Sequence, residues 1–166
     1  MMRPLLLLVA VACSPRAAPP GGEPLPSPDA ASADSTLITL ERTPCFGTCP
    51  VYRVTLSGEG RVAFTGTRFV SRVGTATADL PPERVDTLLR ALEAGGYFGF
   101  ADRYVPGEPP CARYATDLPS AITSVTARGR SKTIHHDHGC AGAPPELTRL
   151  ERLIDETAGT ARWTGR

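Results

Sequence analysis

The sequence predicts an α+β fold: an antiparallel sheet of about five to six strands with two helices packed on one face, in the order β-β-β-(β)-α-β-β-α. Three observations carry this expectation. Several short segments alternate apolar and polar residues with a period of two, the pattern of strands buried on one face. Two longer segments repeat apolar residues at helical spacing. Glycine- and proline-rich turns separate them, and strands grouped around two helices favour an antiparallel sheet with its helices on one side.

The elements follow in chain order. Leu37 to Glu41 reads as a strand. Val51 to Leu56 alternates, with Tyr52, Val54 and Leu56 on one face. The turn Ser57-Gly58-Glu59-Gly60 joins it to Arg61 to Thr65, where Val62 and Phe64 share a face, so the pair forms a hairpin. Phe69 to Thr77 adds a further strand. Leu80-Pro81-Pro82-Glu83 opens the first helix, because proline is favoured in a first turn whose N–H groups lack partners anyway. Val85, Leu88, Leu89 and Leu92 form its buried stripe, and Gly95-Gly96 ends it. Ile122 to Ala127 and Ser131 to Asp137 are strands around the Arg128-Gly129-Arg130 turn. Ala143-Pro144-Pro145-Glu146 opens a second helix, with Leu147, Leu150, Ile154 and Ala158 as its stripe and Gly159 at its end. The aromatic cluster Tyr97, Phe98, Phe100 and Tyr104 caps the core in this reading, with a partner-binding patch as the alternative.

The chain divides into three parts. Residues 1–12 read as a signal peptide: Arg3 precedes the apolar run Leu5 to Ala12, too short for the ~20 residues that span a bilayer. Ala10-Val11-Ala12-Cys13 resembles the lipobox of bacterial lipoproteins, whose cysteine is acylated, although that pattern has Leu where Ala10 stands. Ordinary cleavage at the same Ala-Val-Ala is the alternative. No Asp follows Cys13, which by resemblance to Gram-negative lipoproteins implies an outer-membrane anchor. Residues 13–35, rich in Pro, Ala, Ser and Gly, cannot bury enough surface to offset ordering and read as a disordered, semi-extended tether. Residues 36–166 form a single domain of about 130 residues, a common domain size. With 18 basic and 17 acidic residues in the chain, nucleic acid is not an expected partner, because phosphate binding needs a basic face.

Four cysteines remain after Cys13, and an even number in an exported domain reads as disulfides. Of the three possible pairings we expect Cys45 with Cys49 and Cys111 with Cys140. Gly47 permits the tight reversal that the short pair needs, and Cys111 and Cys140 both lie in Pro/Gly-rich loops. Chain entropy assigns roughly 2 kcal/mol to the short bridge and roughly 3.6 kcal/mol to the long one, so the first shapes a loop and the second stabilises. Thiol exchange through Cys45 and Cys49 is disfavoured, since redox pairs are spaced Cys-x-x-Cys at a helix start and here a strand follows.

Arg42-Thr43-Pro44-Cys45-Phe46-Gly47-Thr48-Cys49-Pro50-Val51-Tyr52 resembles the signature of an uncharacterised bacterial domain family of small envelope or exported proteins. The match continues through the Gly58-Glu59-Gly60 turn, the first Pro-Pro-Glu helix, Tyr97-Phe98, Asp117-Leu118-Pro119 and Arg162-Trp163. The Cys111 and Cys140 segments look like paired additions to the family pattern, as one extra disulfide would be. The resemblance implies a domain type and carries over no catalytic residue.

The chain contains no Gly-x-Ser-x-Gly elbow, phosphate loop or His-Glu-x-x-His, and no catalytic residue or cofactor is assigned. Asp102, Tyr104, Asp117 and the histidines would be the raw material of a hydrolytic site. The expected role is a non-catalytic, lipid-anchored envelope binding or structural module, contacting an envelope protein, acting as an inhibitor or associating with the cell wall, with the loop Phe46, Gly47 and Thr48 as its candidate surface. The alternative is a metal-binding envelope protein using His135 to Cys140: on a strand His136 and His138 share a face, with Cys140 as a third ligand, while His135 points away.

Overall fold

The computed structural model describes residues 35–165. The segment expected to be a signal peptide, Cys13 and all of the expected tether but Ser35 lie outside the described residues.

Seven strands form one sheet in the order β4-β3-β2-β1-β6-β7-β5. They are β1 (Leu37–Arg42), β2 (Val51–Ser57), β3 (Arg61–Arg68), β4 (Gly74–Asp79), β5 (Arg103–Tyr104), β6 (Ser120–Ala127) and β7 (Arg130–Asp137). Helix α1 (Pro82–Ala94) follows β4, and α2 (Pro145–Ala158) and the short α3 (Ala161–Thr164) follow β7. Hairpins β1-β2, β2-β3, β3-β4 and β6-β7 are antiparallel, as is the central pairing of β1 with β6.

Two expectations need correction. The sheet has seven strands and is not purely antiparallel, because β5 runs parallel to β7, with Arg103 opposite His135 and Tyr104 opposite His136. A strand of two residues is too short to show a period, so no pattern betrays it. β4 begins at Gly74, not at Phe69. Phe69 adopts a left-handed backbone with φ of 55°, which breaks the extended run before the chain re-enters the sheet.

Only one face of the sheet is covered. Ile38, Leu40, Val54, Leu56, Val62, Phe64, Val125 and Ile134 point to the helix side and join Val85, Leu88, Leu89, Leu92, Leu147, Leu150 and Ile154 in one core. Both helices start at Pro-Pro and end at glycine, Gly159 taking the left-handed conformation (φ 66°) that closes α2. The helices approach closely: a Cβ on Gly95 would lie 3.0 Å from Leu150 Cδ1, so a side chain there would push the C-terminus of α1 off α2. Tyr97 and Tyr104 are buried, with Phe98 and Phe100 packed against the core, so the aromatic cluster caps the core. The Tyr52 ring stacks on Phe64 at 5.4 Å and Phe64 on Trp163 at 4.9 Å, which ties α3 to the second strand.

Candidate functional site

Two features meet at the end of the sheet where β1 stops: a disulfide-closed loop and, beneath it, a polar cluster. The loop is the connection of the β1-β2 hairpin. Arg42 and Tyr52 are register partners at its base, and the chain between them is joined by Cys45–Cys49, with a Cα separation of 5.8 Å. Gly47 holds φ of 154°, a setting that side-chain-bearing residues rarely adopt. The loop is docked on the segment before β6: Thr43 N donates to Ser120 O (3.0 Å), Ser120 N donates to Thr43 Oγ1 (2.8 Å), and Phe46 N donates to Asp117 O (3.1 Å). With its backbone held this way, Phe46 is left 88% exposed at the tip. Leu118 and Tyr114 also show exposed apolar surface, Leu118 directly after the docking carbonyl.

Four elements supply the polar cluster. Arg42 ends β1, Tyr52 is the second residue of β2, His136 and His138 flank the end of β7, and Glu151 and Asp155 stand one turn apart on α2. Asp155 Oδ2 accepts from Arg42 Nε (3.2 Å) and Nη2 (2.9 Å), and its Oδ1 accepts from Tyr52 Oη (2.6 Å) and Thr160 Oγ1 (3.0 Å). Glu151 Oε2 faces Arg42 Nη1 (3.2 Å) and His138 Nε2 (2.9 Å), while Oε1 faces His136 Nδ1 at 2.6 Å. Burial by itself would raise the Glu151 pKa. Hydrogen bonds from His136 and His138, and the Arg42 charge, outweigh it and bring the carboxyl down to about 2. Tyr52 is pushed up by burial and by the Asp155 carboxylate, so it stays a donor. A shallow depression of about 400 Å³, lined by Pro50, Tyr52, Asp155, Gly159 and Thr160, opens beside the cluster.

The residues picked out by sequence separate into groups here. Phe46, Gly47 and Thr48 form the exposed tip. His136 and His138 converge, with ring centroids 4.7 Å apart, and His135 lies on the opposite face of β7. Cys140 leaves the proposed ligand set, because its Sγ is bonded to Cys111, and Glu151 occupies the third position instead. The hydrolytic set has scattered partners: Asp102 pairs with Lys132, Asp117 with Thr116, and Tyr104 lies edge-on to His136 at 6.0 Å. Arg42, Tyr52, Glu151 and Asp155 were not singled out as functional residues. One signal was available for Glu151, which falls on the apolar stripe of α2 between Leu150 and Ile154, where a charged residue needs a buried partner.

No curated protein matches this chain. A family model does match residues 36–158, from the start of β1 to the end of α2. The loop, His136, His138, Glu151 and Asp155 all lie inside that span, and by it the chain belongs to DUF6438, a family defined by a domain of unknown function.

Proposed function

We propose that this chain is a lipid-anchored envelope module that binds a protein or cell-wall partner through the tip of its β1-β2 loop. The observation that carries the reading is Phe46, an aromatic side chain 88% exposed on a loop that is both cross-linked and anchored. An exposed phenylalanine on a mobile loop would lose much of its binding free energy to ordering. Here the Cys45–Cys49 bridge, the docking bonds to Asp117 and Ser120, and the Arg42 and Tyr52 bonds to Asp155 have already fixed the backbone. Leu118, directly after the Asp117 carbonyl that holds Phe46 N, adds exposed apolar surface beside the tip. In this reading Cys13 carries the acyl groups, and the tether after it sets the distance between membrane and domain. Removal of the signal leaves the domain facing the periplasm or the cell surface.

The test is capture from native envelope fractions, using the acylated full chain with a photo-crosslinking residue placed at Thr48. One discrete cross-linked species is expected. Phe46→Ala should lower its yield about 30-fold, as for loss of an aromatic anchor worth roughly 2 kcal/mol. Equal yields from Phe46→Ala and the parent chain would remove the loop from the interface.

A further inference from the structure

We propose that His136, His138 and Glu151 form a binding site for one divalent cation of the zinc type. The three side chains come from two rigid elements, the end of β7 and the middle of α2, and each points one ligand atom at the others. One ligand atom from each of the three lies within 4.8 Å of the others, and the nitrogens nearest Glu151 are Nδ1 of His136 (2.6 Å) and Nε2 of His138 (2.9 Å). Two imidazole nitrogens and one carboxylate oxygen are a donor set that suits borderline cations such as Zn²⁺, better than the all-oxygen cages of Ca²⁺ or Mg²⁺.

Charge and hydrogen bonding support a cation at this point. Glu151 and Asp155 face a single guanidinium, so with uncharged imidazoles the cluster holds a formal charge of −1 in a mostly buried position. Arg42 does not depend on Glu151 for a partner, because its Nε and Nη2 are both held by Asp155. Its Nη1 stands 3.2 Å from Glu151 Oε2 and 3.4 Å from His138 Nε2, and it can give up that contact while staying paired. In the absence of the ion these nitrogens face Glu151 as hydrogen-bond partners, and the ion takes their place when each imidazole carries its N–H on the far ring nitrogen and turns a lone pair inward. His136 and Glu151 are 4% and 1% exposed, whereas His138 is 25% exposed. That asymmetry provides a route for the ion and a fourth position open to water or to a ligand from solvent. Arg42 remains close enough to repel the ion, which sets a modest affinity.

The experiment uses the oxidised full chain, stripped with a chelator and titrated with Zn²⁺ alone, with native mass spectrometry and calorimetry as readouts. One Zn²⁺ per chain is expected. Co²⁺ at the same stoichiometry should give the intense visible absorption of a four-coordinate site. His138→Gln keeps the fold, being only half-buried, and should weaken Zn²⁺ binding at least about 100-fold, the upper end of what losing an outer partner costs. His135→Gln, on the opposite face of β7, should leave binding unchanged. No stoichiometric uptake by the parent chain, or equal uptake by His138→Gln with an unchanged circular dichroism spectrum, would overturn the site and leave the cluster as a clamp between sheet and helix.

Discussion

At the scale of single residues the molecule turns on Glu151. It sits on the apolar stripe of α2, and taking its carboxylate out of water is costly unless charge-assisted partners meet its oxygens. His136, His138 and Arg42 meet them, and the carboxyl settles near 2, below its ordinary 4.5. The sign follows from linkage. A carboxyl depressed on folding stabilises fully above its unfolded pKa and loses that contribution as pH falls toward its folded one. We expect on the order of 3 kcal/mol of stability to vanish between about pH 5 and pH 2 from this group. Glu151→Gln should therefore be less stable at neutral pH and show a flatter slope across that interval. Urea denaturation midpoints measured against pH for both proteins check this, and parallel slopes would show that Glu151 does not govern acid lability.

At the scale of elements the two bridges do different work. Cys111–Cys140 closes a loop with a sequence separation of 29 and pins the long connection after β5 to the end of β7, where Tyr114 also pairs with Cys140. Cys45–Cys49, with a separation of 4, closes only its own hairpin tip. Chain entropy then predicts that Cys111→Ser with Cys140→Ser costs about 3.6 kcal/mol, and Cys45→Ser with Cys49→Ser about 2 kcal/mol. The functional ranking should be reversed. Opening the short bridge frees the Phe46 tip and should abolish cross-linking at the loop, while opening the long one should leave it in place on protein that is still folded. Guanidinium titrations, read beside cross-linking yields for both double variants, separate the two roles.

At the scale of the whole molecule, one sheet face is buried under helices and the other is open. The sheet's β1 end gathers the loop, the cluster and both disulfides, so the candidate site lies at one pole of the domain. Among the described residues no helix is long and apolar enough to cross a membrane. Membrane attachment in the proposed reading therefore rests on Cys13. Cys13→Ala should move the chain from the membrane fraction to the soluble one, with the intact mass falling by the acyl groups. A Cys13→Ala chain that still sediments with membranes would show attachment by another route.

Much of this arrangement was legible in the sequence, because its signals are local. Alternation marked β2 and β3. Apolar residues at helical spacing, bracketed by Pro-Pro and glycine, marked α1 and α2, since the first turn and the cap are chosen by residues a few positions apart. The same local rule put His136 and His138 on one face of β7. The short β5 escaped because two residues carry no period. The late start of β4 followed from one left-handed backbone at Phe69, a residue type for which that conformation is uncommon. The partners of the histidines were not legible either. Arg42 and Asp155 meet across 113 residues of chain, and Tyr52 and Asp155 across 103. Periodicity tells a side chain which face to take but not which distant segment will cover that face. Only the packing of α2 over the ends of β1, β2 and β7 brought Glu151 to the histidines and left Cys140 to its disulfide.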